Sequence, residues 1–420
     1  MTLLSVPDAV ALCIAGVFTL YLLLLSIIAL FVPRRKEFPA TDTRRFAILI
    51  PAHNEELSLE RTVRSLQQLD YPREMYDIVV IADNCTDPTA AIGRKLGAEV
   101  YERTDRNLRG KGYALRWMFD ILMKKKPAYD AYIVIDADSV ASRNFLRVMN
   151  FHLERGARAI QCNDMVEPHP EAWVSEVIRF GFTLYNFVRP MGRKPLGFSA
   201  GIRGNGMCFS RSLLEEYPWN TYSLNEDLEY GLRLLADGII VRFAPEALVH
   251  ALMPTTTKNA ESQRSRWERG RFPVIRKYTP RLIAASVRTF SLRPLDGLIE
   301  LLTPPFVNLF GGLVVMTGAH ALLAAAGYTG AFLPGLAWGG LVVAALLHVF
   351  LGLAAARADR GLYRAMLFIP RYAVWKILLY LKLTRKRGTE EWVRTARDAV
   401  RNGSSGAENN PEPKVSTKAS

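Results

Sequence analysis

Apolar residues are concentrated near the two ends of the chain, and the first long apolar run occupies residues 9–32 without a charge. As a helix with a rise of about 1.5 Å per residue, this run would extend roughly 36 Å, compared with about 30 Å for the hydrocarbon core of a bilayer. Asp8 precedes the run and basic residues follow at 34–36, which is the reverse of the charge order in a secretory signal. The pattern predicts a membrane helix within residues 1–36, with the N-terminus outside and the following chain in the cytosol.

Two further apolar stretches, at 301–326 and 331–355, are joined by a short loop without lysine or arginine, which favours an outer position for that loop. Another stretch, 363–383, contains four basic residues, and a cation near the middle of a span costs roughly 2.5 to 3.5 kcal/mol on insertion scales. We therefore expect it to lie on the cytosolic face of the membrane as an interfacial helix, with a fourth span as the alternative. The segment 281–297, which mixes apolar residues with arginines, is also predicted to be interfacial.

Between these regions, short apolar runs alternate with helix-like patterns. This alternation predicts βαβ units, and hence an α/β domain with a mostly parallel sheet and helices on both faces. Ligands of such sheets bind beyond the carboxyl ends of the strands, and the loops after three of the predicted strands carry carboxylates. The predicted strands are 46–50, 77–83, 98–102 and 131–139, and the predicted helices are 55–69, a short one from 88, and 111–123. The predicted division of the chain is an N-terminal membrane helix at 1–36, the α/β domain at 37–280, interfacial and membrane helices at 281–400, and a disordered polar tail at 401–420.

The formal net charge of +14 favours an anionic partner: nucleic acid, anionic lipid or a phosphorylated small molecule. No GxGxxG sequence follows a predicted strand, and RGKGY at 109–113 lacks the spacing of a P-loop, which disfavours a dinucleotide oxidoreductase and a P-loop NTPase. The four cysteines are scattered without a CxxC pair, which is typical of small buried side chains in a reducing compartment.

Two carboxylates, Asp136 and Asp138, end the apolar run at 131–139. Side chains two residues apart on an extended strand point to the same side of the sheet. A convergent pair of hard oxygen ligands suits Mg²⁺ or Mn²⁺, and the metal ion can in turn bridge a diphosphate.

A helix is predicted within 223–238, with Asn225 as its N-cap and Gly238 at its end. Glu226 and Asp227 then fall in its first turn. They either complement the helix dipole, which is worth about 0.3 to 1 kcal/mol, or provide a general base at the mouth of a pocket.

The segment QRSRWERGR at 263–271 places four arginines around one tryptophan. A nucleic-acid surface would require several aromatic residues among the basic ones, and a lipid-binding surface would require an adjoining apolar face. Neither is present, so the segment is best interpreted as a site where Arg266 binds phosphate oxygens and Trp267 stacks on a sugar ring. We therefore expect no nucleic-acid partner.

Taken together, Asp83, DADS at 136–139, EDLEYG at 226–231 and QRSRW at 263–267 resemble, in this order between membrane segments, the membrane-integrated family 2 glycosyltransferases. That family includes cellulose, hyaluronan, chitin-oligosaccharide and poly-N-acetylglucosamine synthases and ceramide glucosyltransferase. Each motif is weak alone, whereas the joint set of D, DxD, ED and QxxRW is highly specific. The resemblance implies a GT-A nucleotide-sugar transferase fold inserted between transmembrane helices, a UDP-sugar donor, Mg²⁺ or Mn²⁺, and inverting transfer in one displacement step.

The resemblance also assigns roles to ten residues by position. The acceptor hydroxyl would be deprotonated by Asp227, next to Glu226, and the nucleotide pocket would be lined by Glu55, Asp83 (on the uracil) and Lys111. The donor and metal ion would be held by Asp136 and Asp138, and the diphosphate and acceptor sugar would be covered by Gln263, Arg266 and Trp267.

The chain departs from the family pattern at two of these motifs. Ala82 stands where the family has the first of two aspartates, which leaves uracil recognition to Asp83 alone. Asn225 stands where the family has the threonine of its TED motif, a change that keeps the proposed base, Asp227.

The acceptor is predicted to be a growing polysaccharide or oligosaccharide, because QRSRWERG most resembles the polysaccharide synthases. Three or four spans are fewer than cellulose-type synthases use to build their polymer pore, so export would need homo-oligomerisation or a partner. Transfer of a single sugar to a membrane lipid is the alternative. A non-catalytic scaffold subunit is a second alternative, although it would not be expected to keep all the motifs.

Overall fold

The computed structural model describes residues 6–35, 37–39 and 42–385, so the tail predicted at 401–420 lies outside the described residues. The strands are β1 (Phe46–Ala52), β2 (Tyr76–Asp83), β3 (Glu99–Arg103), β4 (Ala131–Val134), β5 (Ser139–Ala141), β6 (Ala159–Val166), β7 (Met207–Ser210) and β8 (Val241–Ala251). The helices before β8 are α1 (Val6–Phe31), α2 (Leu59–Gln67), α3 (Thr89–Lys95), α4 (Lys111–Leu122), α5 (Phe145–Glu154), α6 (Trp173–Phe182), α7 (Arg189–Arg193), α8 (Arg211–Glu216) and α9 (Glu226–Ala236), with a π-helix, Thr183–Val188, between α6 and α7. The helices after β8 are α10 (Thr257–Thr289), α11 (Leu292–Leu302), α12 (Phe306–Ala325), α13 (Phe332–Ala356), α14 (Arg360–Ala365) and α15 (Ile369–Arg385).

One sheet with the order β3-β2-β1-β4-β7-β6-β8-β5 organises the described part of the domain. Parallel pairs join β1 to β2 and β4, β2 to β3, and β6 to β8, while β7 is antiparallel to β4 and β6, and β5 to β8. Every residue of β1 is buried, because Leu115 of α4 belongs to the core on one face of the sheet and Val63 of α2 to the core on the other. Continuous apolar strands covered on both faces are typical of α/β sheets, and the predicted fold class is confirmed.

The strand predicted at 131–139 is too long at its C-terminal end, where two of the predicted site residues lie. The backbone N–H of Asp136 donates to the Asn205 side-chain oxygen (3.0 Å), and that of Ser139 donates to the Asp136 carbonyl (3.1 Å). The strand therefore ends at Val134, and Asp136 and Asp138 occupy a turn before β5. Their side chains are not a pair on one face of an extended strand.

Within the described residues, the helices long and apolar enough to cross a membrane are α1, α12, and α13 with the turn before it. They pack on one another: the Ser26 hydroxyl of α1 lies 2.7 Å from His348 Nδ1 of α13, and Asp8 of α1 accepts from the Trp338 ring N–H of α13 at 3.1 Å and lies 3.2 Å from His320 Nε2 of α12. The apolar stretch predicted from 301 begins later, because Pro304 and Pro305 interrupt the chain between α11 and α12.

The segment predicted at 281–297 is divided between two helices. Helix α10 continues through Pro280, so the domain boundary predicted at residue 280 falls inside a helix. Phe290 then takes a left-handed conformation with φ of 50°, and Ser291 caps α11 by accepting from the Arg293 backbone N–H at 3.2 Å.

The segment predicted at 363–383 is also divided, by a 3-10 turn, Met366–Phe368, between α14 and α15. Helix α15 is not among the described helices that are long and apolar enough to cross a membrane. Its Lys376 is buried and pairs with Glu268 of α10 at 2.9 Å, so α15 is joined to α10 by a buried ion pair.

Candidate active site

A cavity of about 520 Å³ lies beyond the carboxyl ends of β1 and β4. It is bounded by the loops after these strands, the first turn of α9, the first half of α10, and the chain between α11 and α12. Nine of the ten predicted site residues line it: Glu55, Lys111, Asp136, Asp138, Glu226, Asp227, Gln263, Arg266 and Trp267.

Asp83 is the predicted site residue that does not line the cavity. Its carboxylate is 2% exposed and accepts from Arg103 Nη1 of β3 at 2.6 Å. Burial raises the pKa of Asp83, while the Arg103 hydrogen bond and charge oppose that shift. His53, whose Nδ1 lies 2.8 Å from the Asp83 carbonyl oxygen, lines the cavity in this region instead.

Lys111 connects three parts of the cavity wall. Its ammonium group lies 2.5 Å from Asp136 Oδ1 and donates to the Gly204 carbonyl at 2.6 Å. Burial opposes its charge, but Asp136, Glu226 and Asp227 together raise the pKa of Lys111. The lysine therefore remains a cation among carboxylates from the loop after β4 and from the first turn of α9.

Glu226 and Asp227 are held in the first turn of α9, as predicted. Burial and the adjacent Asp227 raise the pKa of Glu226 to about 7, and burial also raises the pKa of Asp227. Gly204 lies against Asp227, since a Cβ on this glycine would be 2.8 Å from Asp227 Oδ2. Its φ of 84° is a second reason for glycine at this position.

Asn225 occupies the N-cap position of α9, as predicted, and its carbonyl accepts from the Glu229 backbone N–H at 3.0 Å, but its side chain makes no capping hydrogen bond. The side-chain amide instead donates to the Trp267 carbonyl of α10 at 3.2 Å. Gly270 permits this approach, since a Cβ there would lie 2.9 Å from Asn225 Oδ1. Asn225 thus joins the carboxylates of α9 to the tryptophan of α10.

The Trp267 ring lies at one wall of the cavity, 6.0 Å from the Phe182 ring and beneath the Arg264 guanidinium. Arg271, near the middle of α10, donates to the carbonyls of Leu301 (2.6 Å) and Thr303 (2.7 Å). The arginines of QRSRWERGR therefore have different roles, and Arg271 stabilises the C-terminal end of α11.

Three amide and carboxylate side chains that the sequence did not single out support the loop that carries Asp136 and Asp138. The Asn205 side chain accepts from the Asp136 backbone and donates to Asp164 Oδ1 at 3.0 Å, and Asn186 of the π-helix donates to the same carboxylate at 3.2 Å. Burial, followed by the charge of Asp136, raises the pKa of Asp164. In the sequence, these residues are marked only by the position of Asn205 between two glycines.

A buried cluster of arginines was also missed. Arg189 and Arg193 of α7, and Arg203 of the following loop, line the cavity and all pair with Glu300 of α11, at 3.2, 2.8 and 3.4 Å. Burial opposes ionisation of Glu300, but the guanidiniums lower its pKa. The signal in the sequence was the occurrence of these cations within an otherwise apolar stretch.

One part of the cavity wall is apolar. It is formed by side chains of α6, the π-helix, α9 and the chain entering α12: Phe182, Leu184, Leu232, Leu235, Pro304, Pro305, Phe306 and Val307. Because Phe306 begins a helix long enough to cross a membrane, this part of the wall includes the start of a candidate span.

The sheet, the carboxylate loops and the QRSRW helix define a nucleotide-sugar transferase of the GT-A class. The family model described as "Glycosyltransferase like family 2" matches residues 43–270, which is more than half of the chain. The chain belongs to this family of glycosyltransferases.

Relatives within the family have different products. The probable glycosyltransferase YdaM of Bacillus subtilis (strain 168) is 27% identical over 252 residues, or 58% of each chain. Beta-monoglucosyldiacylglycerol synthase of Nostoc sp. (strain PCC 7120) is 28% identical over 231 residues, 53% of this chain and 48% of the relative. Poly-beta-1,6-N-acetyl-D-glucosamine synthase of Staphylococcus aureus (strain COL) is 21% identical over 248 residues, 58% of each chain. The chain thus matches only about half the length of these relatives.

A solved structure supports the fold. The mannosyltransferase PcManGT of Pyrobaculum calidifontis, in complex with GDP-Man and Mn²⁺, superposes with a TM-score of 0.50 at 16% identity. The match covers 82% of this chain and 98% of that chain, so it includes elements outside the part matched by the family model.

Proposed function

We propose that this chain transfers a sugar from a UDP-sugar to a hydroxyl group of a membrane-embedded acceptor, with inversion at the anomeric carbon and dependence on a divalent metal ion. The observation that carries the proposal is the cavity, which joins the carboxylates after β1 and β4 to the start of α12. A nucleotide-sugar at the carboxylates and a membrane molecule along the apolar side chains would both have access to Asp227, which lines the same cavity.

Asp136 and Asp138 fit a divalent metal ion, because both line the cavity and Mg²⁺ and Mn²⁺ prefer hard oxygen ligands. Among the described residues, no group of three or more His, Cys, Asp or Glu side chains is arranged as a metal site. Mg²⁺ commonly binds through one or two carboxylates together with substrate phosphates, and this is the mode we propose. A bound ion would neutralise charge on the departing diphosphate.

Asp227 is the proposed general base. It takes the proton of the acceptor hydroxyl while that oxygen bonds to the anomeric carbon of the sugar, and the bond from this carbon to the diphosphate oxygen breaks. UDP leaves with the electron pair on the side opposite to the attacking oxygen, which produces inversion. The raised pKa of Asp227 suits this role, since a base works best with a pKa near the working pH.

The polar residues of α10 would cover the donor. Arg266 carries a permanent charge suited to phosphate oxygens, and Gln263 is buried beside it on the cavity wall. The Trp267 ring offers an apolar face to a sugar. Because Asn225 links Trp267 to the helix that carries Asp227, we expect sugar stacking and base position to be coupled.

The cavity favours a membrane lipid as the acceptor over the growing glycan that the sequence favours. Its apolar wall meets the start of α12, and an acyl chain would match those side chains better than a hydrophilic polymer would. The three candidate spans also contact one another directly, which favours a lipid acceptor over a polymer that would need a pore between them. A growing glycan is the second candidate acceptor. It is supported by the Trp267 ring, which lines the cavity and offers a flat apolar face to an acceptor sugar.

The proposed placement puts α1, α12 and α13 across a cell membrane and the catalytic domain in the cytosol, with α11 and α15 at the membrane surface. It rests on the length and apolar composition of the three helices and on the basic residues that follow α1. Reporter fusions at residue 200 that report an external position would contradict this topology.

The direct test is nucleotide release by the purified full-length chain with Mg²⁺ or Mn²⁺ and a panel of donors: UDP-glucose, UDP-N-acetylglucosamine, UDP-galactose, UDP-glucuronate and GDP-mannose. GDP-mannose is included because PcManGT was solved with it. We expect one UDP-sugar to support release and the mass of the product to identify the acceptor. Release from GDP-mannose alone would contradict the UDP preference, and no release from any donor would favour the scaffold alternative.

Asp227→Asn tests the base. We expect kcat to fall by about 100-fold or more with donor binding retained, since general bases contribute about 10² to 10⁴. Asp237→Asn, at the exposed end of the same helix, is the matched control and should keep wild-type kcat. Turnover of Asp227→Asn at the level of this control would exclude the base role.

A further inference from the structure

The arginine cluster of Arg189, Arg193 and Arg203 holds more positive charge than its surroundings balance. The three guanidiniums pair with Glu300, and Arg193 pairs also with Asp296 at 3.1 Å. Three cations therefore share two carboxylates, and one positive charge is left in excess. A buried charge without a partner is strongly unfavourable, so such an excess is expected where an anion binds.

Two donors of the cluster are free to bind such an anion. The Nε atoms of Arg189 and Arg203 are buried without a hydrogen-bond partner among the described residues. Both side chains are more than nine-tenths buried, at 4% and 6% exposure, and both line the cavity. The Tyr185 ring lies between them, 4.9 Å from the Arg189 guanidinium carbon and 3.9 Å from that of Arg203, which fixes their orientation.

The position of the cluster assigns it to the acceptor side of the reaction. Arg203 directly precedes Gly204, which lies against Asp227 Oδ2, and Glu300 lies four residues before the prolines that lead into α12. In an inverting displacement the acceptor and the base are on the face of the sugar opposite to the diphosphate. An anion next to the base is therefore part of the acceptor, whereas the donor diphosphate belongs with Arg266 and the metal-binding carboxylates.

We propose that Arg189 and Arg203 bind the phosphate of an anionic lipid acceptor, one that carries a phosphodiester and a free headgroup hydroxyl, as in phosphatidylglycerol. This inference rests on the proposed function and specifies its acceptor. The phosphodiester takes the unpaired guanidinium donors, the hydroxyl reaches Asp227, and the acyl chains lie along the apolar side chains that lead to α12. Arg193 remains paired with Glu300 and Asp296 and positions the other two arginines.

The test compares phosphatidylglycerol with diacylglycerol, which has a hydroxyl but no phosphate. The full-length chain in dodecyl maltoside is titrated with each lipid, and with inorganic phosphate, and bound molecules are counted by native mass spectrometry. We expect the wild type to bind phosphatidylglycerol more tightly than either other probe. Arg189→Gln and Arg203→Gln should each weaken that binding by about 10- to 100-fold, as expected for a lost charge-assisted hydrogen bond, and leave diacylglycerol binding unchanged.

Arg179→Gln is the matched control, because Arg179 is equally buried and paired with Glu176 but does not line the cavity. Arg203→Lys is a second variant that keeps the charge facing Glu300 and removes the Nε donor, in case the glutamine variants unfold. Wild-type phosphatidylglycerol binding by Arg203→Lys and by either folded glutamine variant would overturn the proposal. So would equal binding of inorganic phosphate, which would indicate a site for the free ion.

The binding measurement needs no donor, so it is independent of the proposed function. If no donor supports nucleotide release but the arginine variants lose phosphatidylglycerol, the proposed function fails and the lipid phosphate site stands. If nucleotide release occurs and diacylglycerol is the better acceptor for all variants, the function stands and the phosphate site is refuted.

Discussion

Gly204→Ala should lower kcat by displacing the proposed base, Asp227, and a control substitution can distinguish this effect from a loss of stability. The new Cβ would lie 2.8 Å from Asp227 Oδ2, whereas an ordinary carbon–oxygen contact is about 3.3 Å or more. Asp227 must therefore move by roughly half an ångström, and because a 1 Å misplacement of reacting groups can cost about 10²-fold, we expect kcat to fall by about 10- to 100-fold.

The same substitution also strains the backbone, since φ at Gly204 is 84°. A left-handed conformation costs a residue with a Cβ roughly 1 to 2 kcal/mol. Gly238 supplies the control, because its φ is also 84° and a Cβ there would meet nothing within 4 Å. Gly238→Ala should lower the free energy of unfolding by a similar amount and leave kcat unchanged.

The assay measures UDP release at saturating donor and acceptor, together with thermal unfolding of both variants. We expect similar decreases in Tm and a loss of kcat in Gly204→Ala alone, with donor binding retained. If both variants have the same kcat within about twofold, the position of Asp227 does not control the rate-limiting step, and the assignment of the base from geometry is wrong.

Three further predictions use other parts of the site. Gly270→Ala should raise the acceptor KM several-fold with little effect on the donor KM, because the new Cβ would displace Asn225 from the Trp267 carbonyl. Equal effects on both KM values would argue against a role for Trp267 in acceptor binding. Asp164→Ala should raise the Mg²⁺ concentration needed for half-maximal rate, since Asn205 would lose the acceptor that orients it toward the loop of Asp136 and Asp138, and an unchanged Mg²⁺ titration would contradict this. The rate should decrease as pH falls through the raised pKa of Asp227, because the base must be unprotonated; a profile of kcat/KM still flat down to about pH 4 would exclude it.

The local parts of the site were predictable from the sequence because their signals are local. Glu55 follows an apolar run that forms β1, and Glu226 and Asp227 fall in the first turn of a helix with a clear end at Gly238. The loop residues after β1 and β4 meet at one edge of the sheet because these two strands are adjacent and parallel, so their carboxyl ends lie side by side.

The parts that were not predictable depend on contacts between distant residues. Asp83 was expected at the donor, but Arg103, which pairs with it from the adjacent strand, takes one of its oxygens. The turn that contains Asp136 depends on Asn205, 69 residues later in the chain. Glu300 is 111 residues from Arg189, and no periodicity of apolar positions contains information about such a pair.

Helix α10 connects the active site to the proposed membrane surface, and it continues through Pro273 and Pro280 between Trp267 and its end. Trp267 lies 22 residues before its end at Thr289, which corresponds to about 33 Å at 1.5 Å per residue. With that end held at the bilayer surface, as proposed, a tilt of about 3° would displace Trp267 by about 1.7 Å, more than the misplacement that costs about 10²-fold in rate. The thickness and curvature of the surrounding membrane would thus change the rate of sugar transfer by tilting α10, in addition to any effect of the lipid that binds as acceptor.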